Sequence, residues 1–235
     1  LIFIEYVHAA SLVVDDLPCM DNDETRRGQA TVHKKFGEHV AQLVAYNLMI
    51  TALKHFSDGL QLAMDSYNEE QRRDIYIRIN KEINDNLGHQ GIGGGQYLDL
   101  VMGREEIQTC PPRERREMIL KLIKLKTGCL FGISFVLGWI ARGGDISAID
   151  TMREAGYNFG ICYQIIDDIR DADSDSEKNG GVNNICKYYT RNEIIDMFSE
   201  KLSHLGTVIT KYNLWSPIMK ELYDYLLDSF RKCLM

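Results

Sequence analysis

The sequence predicts an all-α protein, and three observations support this fold class. Only four prolines interrupt the 235 residues. Several long segments are apolar enough to form core helices, and no long run of alternating β-branched residues indicates a strand. Hydrophobic residues make up 45% of the chain, which is enough for one large core. Because no repeat, low-complexity tract or linker divides the chain, we predict a single domain over residues 1–235.

Apolar segments and helix breakers place the predicted helices. The first is predicted over residues 1–14, where nearly every side chain is apolar. Pro111-Pro112 and Ser216-Pro217 interrupt helical segments because proline cannot continue a helical ladder. A polar stretch at residues 173–181 predicts a loop. The other helices are predicted over residues 36–56, 65–86, 113–140 and 147–170, with two more between residues 191 and 235.

Composition excludes several classes of partner and compartment. The formal net charge of −7 argues against nucleic acid as a partner. No stretch of 18 or more apolar residues lacks a charge, so we expect no stable insertion into a membrane. The six cysteines form no CxxC pair and no disulfide framework, which disfavours a zinc site and fits a reducing cytoplasm.

The chain begins inside an apolar segment, at Leu1, without an initiator Met or a helix cap. We therefore expect N-terminal helices of the natural protein to be missing from this sequence. A transit peptide in that missing part would make a plastid location compatible with the sequence, with the cytoplasm as the first expectation.

An acidic cluster follows the first helix. Four carboxylates lie within the nine residues Asp15–Asp23. Like charges about 4 Å apart repel by roughly 4 kcal/mol at an intermediate dielectric, and a hard divalent cation with oxygen ligands would turn that repulsion into binding. Pro18 cannot continue the helix, so we expect a bulge that brings Asp21 back beside Asp15 and Asp16.

A second acidic cluster, Asp167–Asp171, follows another apolar run. Asp167 and Asp171 are four residues apart and share one helix face, which Gln164 roughly shares as well. We expect the two acidic clusters to face each other and to hold magnesium between them.

Three other features have two interpretations each. Arg26 and Arg27 offer forked donors suited to phosphate, or they pair with the nearby aspartates. Lys126 lies where a helix becomes apolar, and its position favours snorkelling to solvent over an anion in a cavity. The glycines of segment 91–95 allow close approach either of another helix or of a ligand.

Four motifs resemble those of the trans-isoprenyl diphosphate synthases, and their order along the chain agrees as well. Asp15–Asp23, with Arg26-Arg27-Gly28 after it, is similar to the longer DDxxxxD form of the first aspartate-rich motif, as in bacterial and plastid geranylgeranyl or farnesyl diphosphate synthases. Asp167–Asp171 resembles the second motif, DDxxD. Gly95–Asp99 resembles GQxxD, and Lys126–Gly128 resembles KTG.

The resemblance implies an antiparallel helical bundle of the isoprenoid synthase type around a deep central cavity, usually as a homodimer. The implied activity is that of a trans-prenyltransferase. It condenses isopentenyl diphosphate with an allylic diphosphate (dimethylallyl, geranyl or farnesyl) by ionisation, condensation and elimination. Three magnesium ions are expected when diphosphate is bound.

The resemblance also implies residue roles. Arg26, Lys126 and Lys187 would hold the allylic diphosphate and Arg27 the isopentenyl diphosphate. Thr127 and Gln164 would lie beside the allylic cation. The magnesium ligands would be Asp15, Asp16, Asp21, Asp167, Asp168 and Asp171. The main catalytic set would be Asp15, Asp16, Arg26, Lys126, Thr127, Gln164 and Asp167.

The sequence departs from the family pattern at a few positions. The family's N-terminal residues for isopentenyl diphosphate are absent, Gly180-Gly181 replaces a GK pair, and Ala45–Leu48 replaces AGDAL. Lys187 matches the family lysine before TYP only loosely.

Product length is predicted from the turn before Asp15. Ala10 and Ser11 are small, whereas a bulky residue there stops elongation early in the family, so geranylgeranyl diphosphate is the expected product. Farnesyl or a longer polyprenyl diphosphate is the alternative. Rival functions are a terpene cyclase and a non-catalytic regulatory subunit; two full aspartate motifs disfavour both.

Overall fold

The computed structural model describes residues 2–179 and 181–234, without the side chains of residues 173–179. The all-α prediction is confirmed, since β structure in the described part is one short hairpin, with strands β1 (Thr25–Arg26) and β2 (Gln29–Ala30). The α-helices are α1 (Ile2–Asp15), α2 (Val32–Phe36), α3 (Glu38–Ala63), α4 (Glu69–Leu87), α5 (Ile92–Val101), α6 (Glu105–Gln108), α7 (Pro112–Ile123), α8 (Cys129–Ala141), α9 (Ile149–Asn179), α10 (Arg191–Lys211) and α11 (Pro217–Leu234).

Shorter helical turns link some of these helices. Lys124–Gly128 is a π-helical turn between α7 and α8. Three 3₁₀ turns lie at Met64–Ser66, Ile146–Ala148 and Ile185–Lys187. The sequence sets the boundaries near the C-terminus, because Thr190 and Glu193 form a capping box at the start of α10 and Pro217 opens α11.

The chain forms two compact units, residues 1–73 with 140–144, and residues 74–139 with 145–235. In the first unit, α1 packs along α3, where the rings of Phe3 and Phe56 lie 5.4 Å apart and Tyr6 stacks on His55 at 5.2 Å. The Tyr67 hydroxyl donates to the carbonyl of Ile140 at 3.0 Å and ties the second segment of this unit to the first. The organisation into a single domain stays a prediction.

Close helix contacts organise the second unit around α9. A Cβ added to Gly156 would lie 2.5 Å from the carbonyl oxygen of Phe131, and one added to Gly160 would lie 2.8 Å from the Cα of Gly128. Only glycine fits there, so α8 and the π-helical turn pack directly on the backbone of α9. On the other side, α10 packs along α9, and Phe198 stacks on Phe230 of α11 at 3.7 Å.

Two predicted elements differ from the structure. Residues 113–140 are helical, but the five residues of the π-helical turn replace regular α-helix in the middle. The loop prediction at residues 173–181 was wrong as far as Asn179, where α9 ends. Polarity alone does not end a helix, and this stretch contains neither proline nor glycine before Gly180, which itself lies outside the described residues. No described helix is long and apolar enough to cross a membrane.

Candidate active site

The first acidic motif forms a bulged turn at the end of α1. The Asp21 amide donates to the carbonyl of Asp15 at 2.9 Å, and the amides of Met20 and Asn22 both donate to the carbonyl of Leu17, at 2.8 and 3.1 Å. Asn22 adopts a positive φ of 54°, which asparagine tolerates better than most residues. The predicted bulge is therefore confirmed, and it brings the backbone of Asp21 against the helix end.

The arginine pair lies on a two-residue hairpin. Arg27 and Gly28, between β1 and β2, have φ values of 53° and 75°, as a type I′ turn requires. Thr31 anchors the base of the hairpin, because its hydroxyl donates to the carbonyl of Asp23 at 2.9 Å and its amide donates to that of Glu24 at 3.0 Å. The sequence signal for this hairpin is the glycine at the second turn position, which adopts a positive φ readily.

Arg26 binds the first acidic cluster. Its Nε and Nη2 lie 2.7 and 2.6 Å from Oδ1 of Asp16, whose side chain is only 5% exposed, and Nη2 lies 3.6 Å from Asp23. The hydrogen bond to Asp16 raises the pKa of Arg26 above its usual value. Of the two interpretations of Arg26, the one in which it pairs with a nearby aspartate is confirmed. Arg27 is exposed on the turn.

The second acidic motif is held by a chain of hydrogen bonds. The Thr127 hydroxyl donates to Oε1 of Gln164 at 2.6 Å, and Nε2 of Gln164 donates to Oδ1 of Asp168 at 2.8 Å. The other carboxylate oxygen of Asp168 accepts the amide of Ile185 at 2.8 Å. The structure thus brings together three predicted site residues. Asp167 is half-buried and Asp171 is exposed.

Lys126 lies in the π-helical turn and forms an ion pair with Asp99 of α5. Our preference for snorkelling was wrong, because a carboxylate on the neighbouring helix compensates the charge. A Cβ added to Gly95 would lie 2.4 Å from the amide nitrogen of Lys126, so the glycine-packed helix crossing is confirmed. Asp99, the last residue of GQxxD, was missed as a partner of Lys126.

The other three predicted residues lie on α1 and on the 3₁₀ turn Ile185–Lys187. Lys187 is exposed at the end of its 3₁₀ turn. Ala10 is 2% exposed on α1, and the Ser11 hydroxyl donates to the carbonyl of His8 at 2.9 Å. Burial is the largest cause that lowers the pKa of His8, which favours the neutral imidazole.

Comparison with known proteins decides the family. A sequence model of the polyprenyl synthetase family matches residues 2–185. The chain belongs to this family. It is 32% identical over 240 residues to the geranylgeranyl diphosphate synthase of Pseudescherichia vulneris, covering 92% of this chain and 73% of that protein. The farnesyl diphosphate synthase of Bacillus subtilis is 32% identical over 177 residues, covering 75% of this chain. The chain spans about half the length of several such relatives, for example 55% of the B. subtilis enzyme.

Solved structures of geranyltransferases share the fold, which confirms the predicted isoprenoid synthase type. A geranyltransferase from Helicobacter pylori superposes with a TM-score of 0.70 at 28% identity, over 96% of this chain and 72% of that one. A structure of this enzyme complexed with magnesium and isoprenyl diphosphate gives 0.68 at 26% identity, over 98% and 73%. A geranyltranstransferase from Thermotoga maritima gives 0.72 at 23% identity, over 98% and 74%, and supports the fold alone.

The donor set of the polyprenyl synthetase motifs fits magnesium, because carboxylate oxygens are the ligands of hard cations. Asp16 is paired with Arg26, and both carboxylate oxygens of Asp168 accept protein donors. In the described part of the chain, no three His, Cys, Asp or Glu side chains lie close enough together to hold a metal ion. Of the six predicted magnesium ligands, Asp16 and Asp168 are buried, whereas Asp15 and Asp21 in the first unit and Asp167 and Asp171 in the second are accessible to solvent.

Proposed function

We propose that this chain carries the catalytic part of a trans-prenyltransferase that condenses isopentenyl diphosphate with an allylic diphosphate. The observation that carries the proposal is a chain of hydrogen bonds, because it links Thr127 of the KTG motif through Gln164 to Asp168 of the DDxxD motif. Family membership and relatives named as geranylgeranyl and farnesyl diphosphate synthases support the same reaction class.

Magnesium is the proposed cofactor, with three ions expected in the presence of diphosphate. Asp15 and Asp21 in the first unit, and Asp167 and Asp171 in the second, are the proposed ligands. Asp16 and Asp168 complete the proposed ligand set, and protein donors already orient their carboxylates. When bound, the cation neutralises the negative charge that develops on a departing diphosphate.

The basic residues are proposed to bind the substrate diphosphates. Arg26 and Lys126 would contact the allylic diphosphate, and their pairing with Asp16 and Asp99 keeps both side chains oriented before the substrate arrives. Arg27, exposed at the tip of its hairpin, would contact isopentenyl diphosphate. Lys187 is a further proposed contact for the allylic group.

Thr127 and Gln164 are proposed to stabilise the allylic cation. Thr127 donates its proton to Oε1 of Gln164, so the lone pairs of the Thr127 oxygen are not used in this hydrogen bond. Hydroxyl and amide dipoles attract a cation without being strong nucleophiles, so they lower the energy of the cation and do not trap it.

Geranylgeranyl diphosphate is the proposed product, with farnesyl diphosphate as the alternative. Ala10 and Ser11 are small, and α1 places both of them one turn or slightly more before Asp15. A growing chain that passes along α1 would therefore meet no bulky side chain at this level. Two bacterial relatives named as geranylgeranyl diphosphate synthases are consistent with this product.

A homodimer is the proposed assembly. Four large apolar residues on α3, namely Leu43, Tyr46, Ile50 and Leu53, recur at helical spacing and are exposed by 47% to 67%. A second copy of the chain would cover this face. Mass measurement in solution tests the idea, because Ile50→Glu should convert the dimer into a monomer. Ile77→Glu is the control, because Ile77 is 59% exposed on α4 and lies outside this face.

The function is tested by incubating the full-length protein with magnesium, labelled isopentenyl diphosphate and one primer at a time. The expected result is an elongated product from dimethylallyl, geranyl or farnesyl diphosphate, with no incorporation by Asp167→Ala. A protein that cyclises an allylic diphosphate but never incorporates the label would be a terpene cyclase. A protein inactive alone, which changes the output of a partner synthase, would be a regulatory subunit.

A further inference from the structure

The segment that follows α9 folds back onto the second acidic motif. Asn184 is only 3% exposed, and its side chain hydrogen-bonds both to α9 and to the turn that follows it. Nδ2 donates to the backbone carbonyl of Asp168 at 2.7 Å, and Oδ1 accepts the amide of Cys186 at 2.9 Å. The second bond fixes the 3₁₀ turn at Ile185–Lys187, while the first attaches this turn to α9.

This attachment determines where the Asp168 carboxylate points. With the turn held by Asn184, the amide of Ile185 donates to Oδ2 of Asp168 at 2.8 Å. Gln164 donates to Oδ1 from the opposite side. The carboxylate is therefore held at both oxygens, and its orientation depends on a backbone amide that belongs to a different segment of the chain.

The neighbouring asparagine extends the same attachment to α5. Nδ2 of Asn183 donates to the backbone carbonyl of Asp99 at 3.2 Å, and the carboxylate of Asp99 binds Lys126. We call Asn183, Asn184 and Ile185 the asparagine clamp. Its two asparagines bind two different motifs, GQxxD on α5 and DDxxD on α9.

We propose that Asn184 is a positioning residue for the second magnesium motif, because it holds Asp168 and, through Gln164, the hydroxyl of Thr127. The inference rests on the proposed function. Partners of metal ligands act by fixing ligand orientation, and their loss typically lowers metal affinity by about 10- to 100-fold.

Two substitutions separate the two hydrogen bonds of Asn184. Asn184→Ala removes both bonds. Asn184→Ser retains an oxygen that can accept the amide of Cys186, but its side chain is too short to donate to Asp168. Asn80→Ala is the matched control, because Nδ2 of Asn80 also donates to a helix carbonyl, that of Tyr76 at 2.7 Å, on the exposed face of α4.

The experiment measures the thermal stabilisation of each purified full-length variant by magnesium and inorganic pyrophosphate, relative to its own melting temperature without them. This readout needs no turnover, and a merely structural loss would lower both melting temperatures together. We expect the half-saturating magnesium concentration to rise about tenfold or more in Asn184→Ala and in Asn184→Ser. Asn80→Ala should match the wild type, and kcat should fall in parallel with magnesium affinity.

The outcomes distinguish this inference from the proposed function. If the wild type responds to magnesium pyrophosphate and both Asn184 variants respond within twofold of it, the positioning role is wrong and the prenyltransferase proposal stands. If the wild type neither responds nor elongates any primer, both are overturned. A response that is lost in Asn184→Ala but intact in Asn184→Ser would assign the effect to the 3₁₀ turn and overturn the role of the bond to Asp168.

Discussion

Lys126, in the π-helical turn, forms an ion pair with Asp99 on α5, where Gly95 allows the two backbones to meet. The side chain of Asp99 is 11% exposed, so this carboxylate depends on its partner for compensation. The same lysine is proposed to bind the allylic diphosphate. Its structural and functional contributions are therefore separable by experiment.

Lys126→Ala should reduce both stability and activity. Loss of the lysine leaves a mostly buried carboxylate unpaired, which costs about 1–3 kcal/mol of unfolding free energy. Adding Asp99→Asn should restore most of the stability, because the unpaired charge is then gone, but should leave kcat/KM for the allylic substrate low. Urea unfolding and steady-state kinetics measure the two quantities. Recovery of activity together with stability would show that Lys126 acts only as the partner of Asp99.

Arg27→Asn should raise the KM for isopentenyl diphosphate without destabilising the fold. Arg27 has a φ of 53°, a conformation that asparagine adopts more readily than arginine, so the hairpin turn is retained. Loss of a charge-assisted hydrogen bond costs about 1.5–3 kcal/mol, or roughly a 10- to 100-fold rise in KM. Melting temperature and KM for each substrate are the measurements. A rise confined to the allylic KM would contradict the assignment.

Ala10→Tyr should shorten the main product from twenty to fifteen carbons. Ala10 is 2% exposed, so a tyrosine there has to displace its surroundings and project towards the path of the growing chain. Ala9→Tyr, on the adjacent helix position, is the control and should leave the product unchanged. Chromatography of the products after removal of diphosphate measures chain length, and circular dichroism checks that the variant is helical. An unchanged distribution of products would show that the side chain at position 10 does not determine product chain length.

The sequence predicted the all-α class and most helix positions, because proline placement and apolar segments are local properties. It also predicted the bulge at Pro18, because a proline has no backbone N–H and cannot continue the helix. It did not predict the partner of Lys126 or the orientation of Asp168. Those depend on Asp99 and Ile185, which are distant in sequence and meet these residues only through the packing of α5 and the segment after α9.

Glu193→Gln should make stability less dependent on pH in acid. Glu193 forms an ion pair with Arg116 and caps α10 from its third position, and the hydrogen bond from Arg116 is the largest cause that lowers its pKa from 4.5 to about 2. A folded pKa below the unfolded one gives stability that is present above pH 4.5 and lost as pH falls through about 2. The wild type should therefore melt higher than the variant at pH 6, and the difference should vanish near pH 2. Equal melting temperatures of the wild type and the variant at pH 6 would contradict a stabilising role of the Glu193 carboxylate.

Gly95→Ala should destabilise the protein and impair catalysis, although replacing a glycine by alanine within a helix usually stabilises a protein. A Cβ at this position would lie 2.4 Å from the amide nitrogen of Lys126 and 2.6 Å from its Cα, so backbone must move. Overpacking of this kind costs about 1–3 kcal/mol.

Gly59→Ala is the matched control for this last substitution, because Gly59 lies within α3 and a Cβ there would meet no atom within 4 Å. It should stabilise the protein by about 0.5–1 kcal/mol, the ordinary preference of a helix for alanine. Urea unfolding measures both variants, and the KM for the allylic substrate reports whether Lys126 has shifted. A stabilised, fully active Gly95→Ala protein would show that α5 and the π-helical turn are not in direct backbone contact in solution.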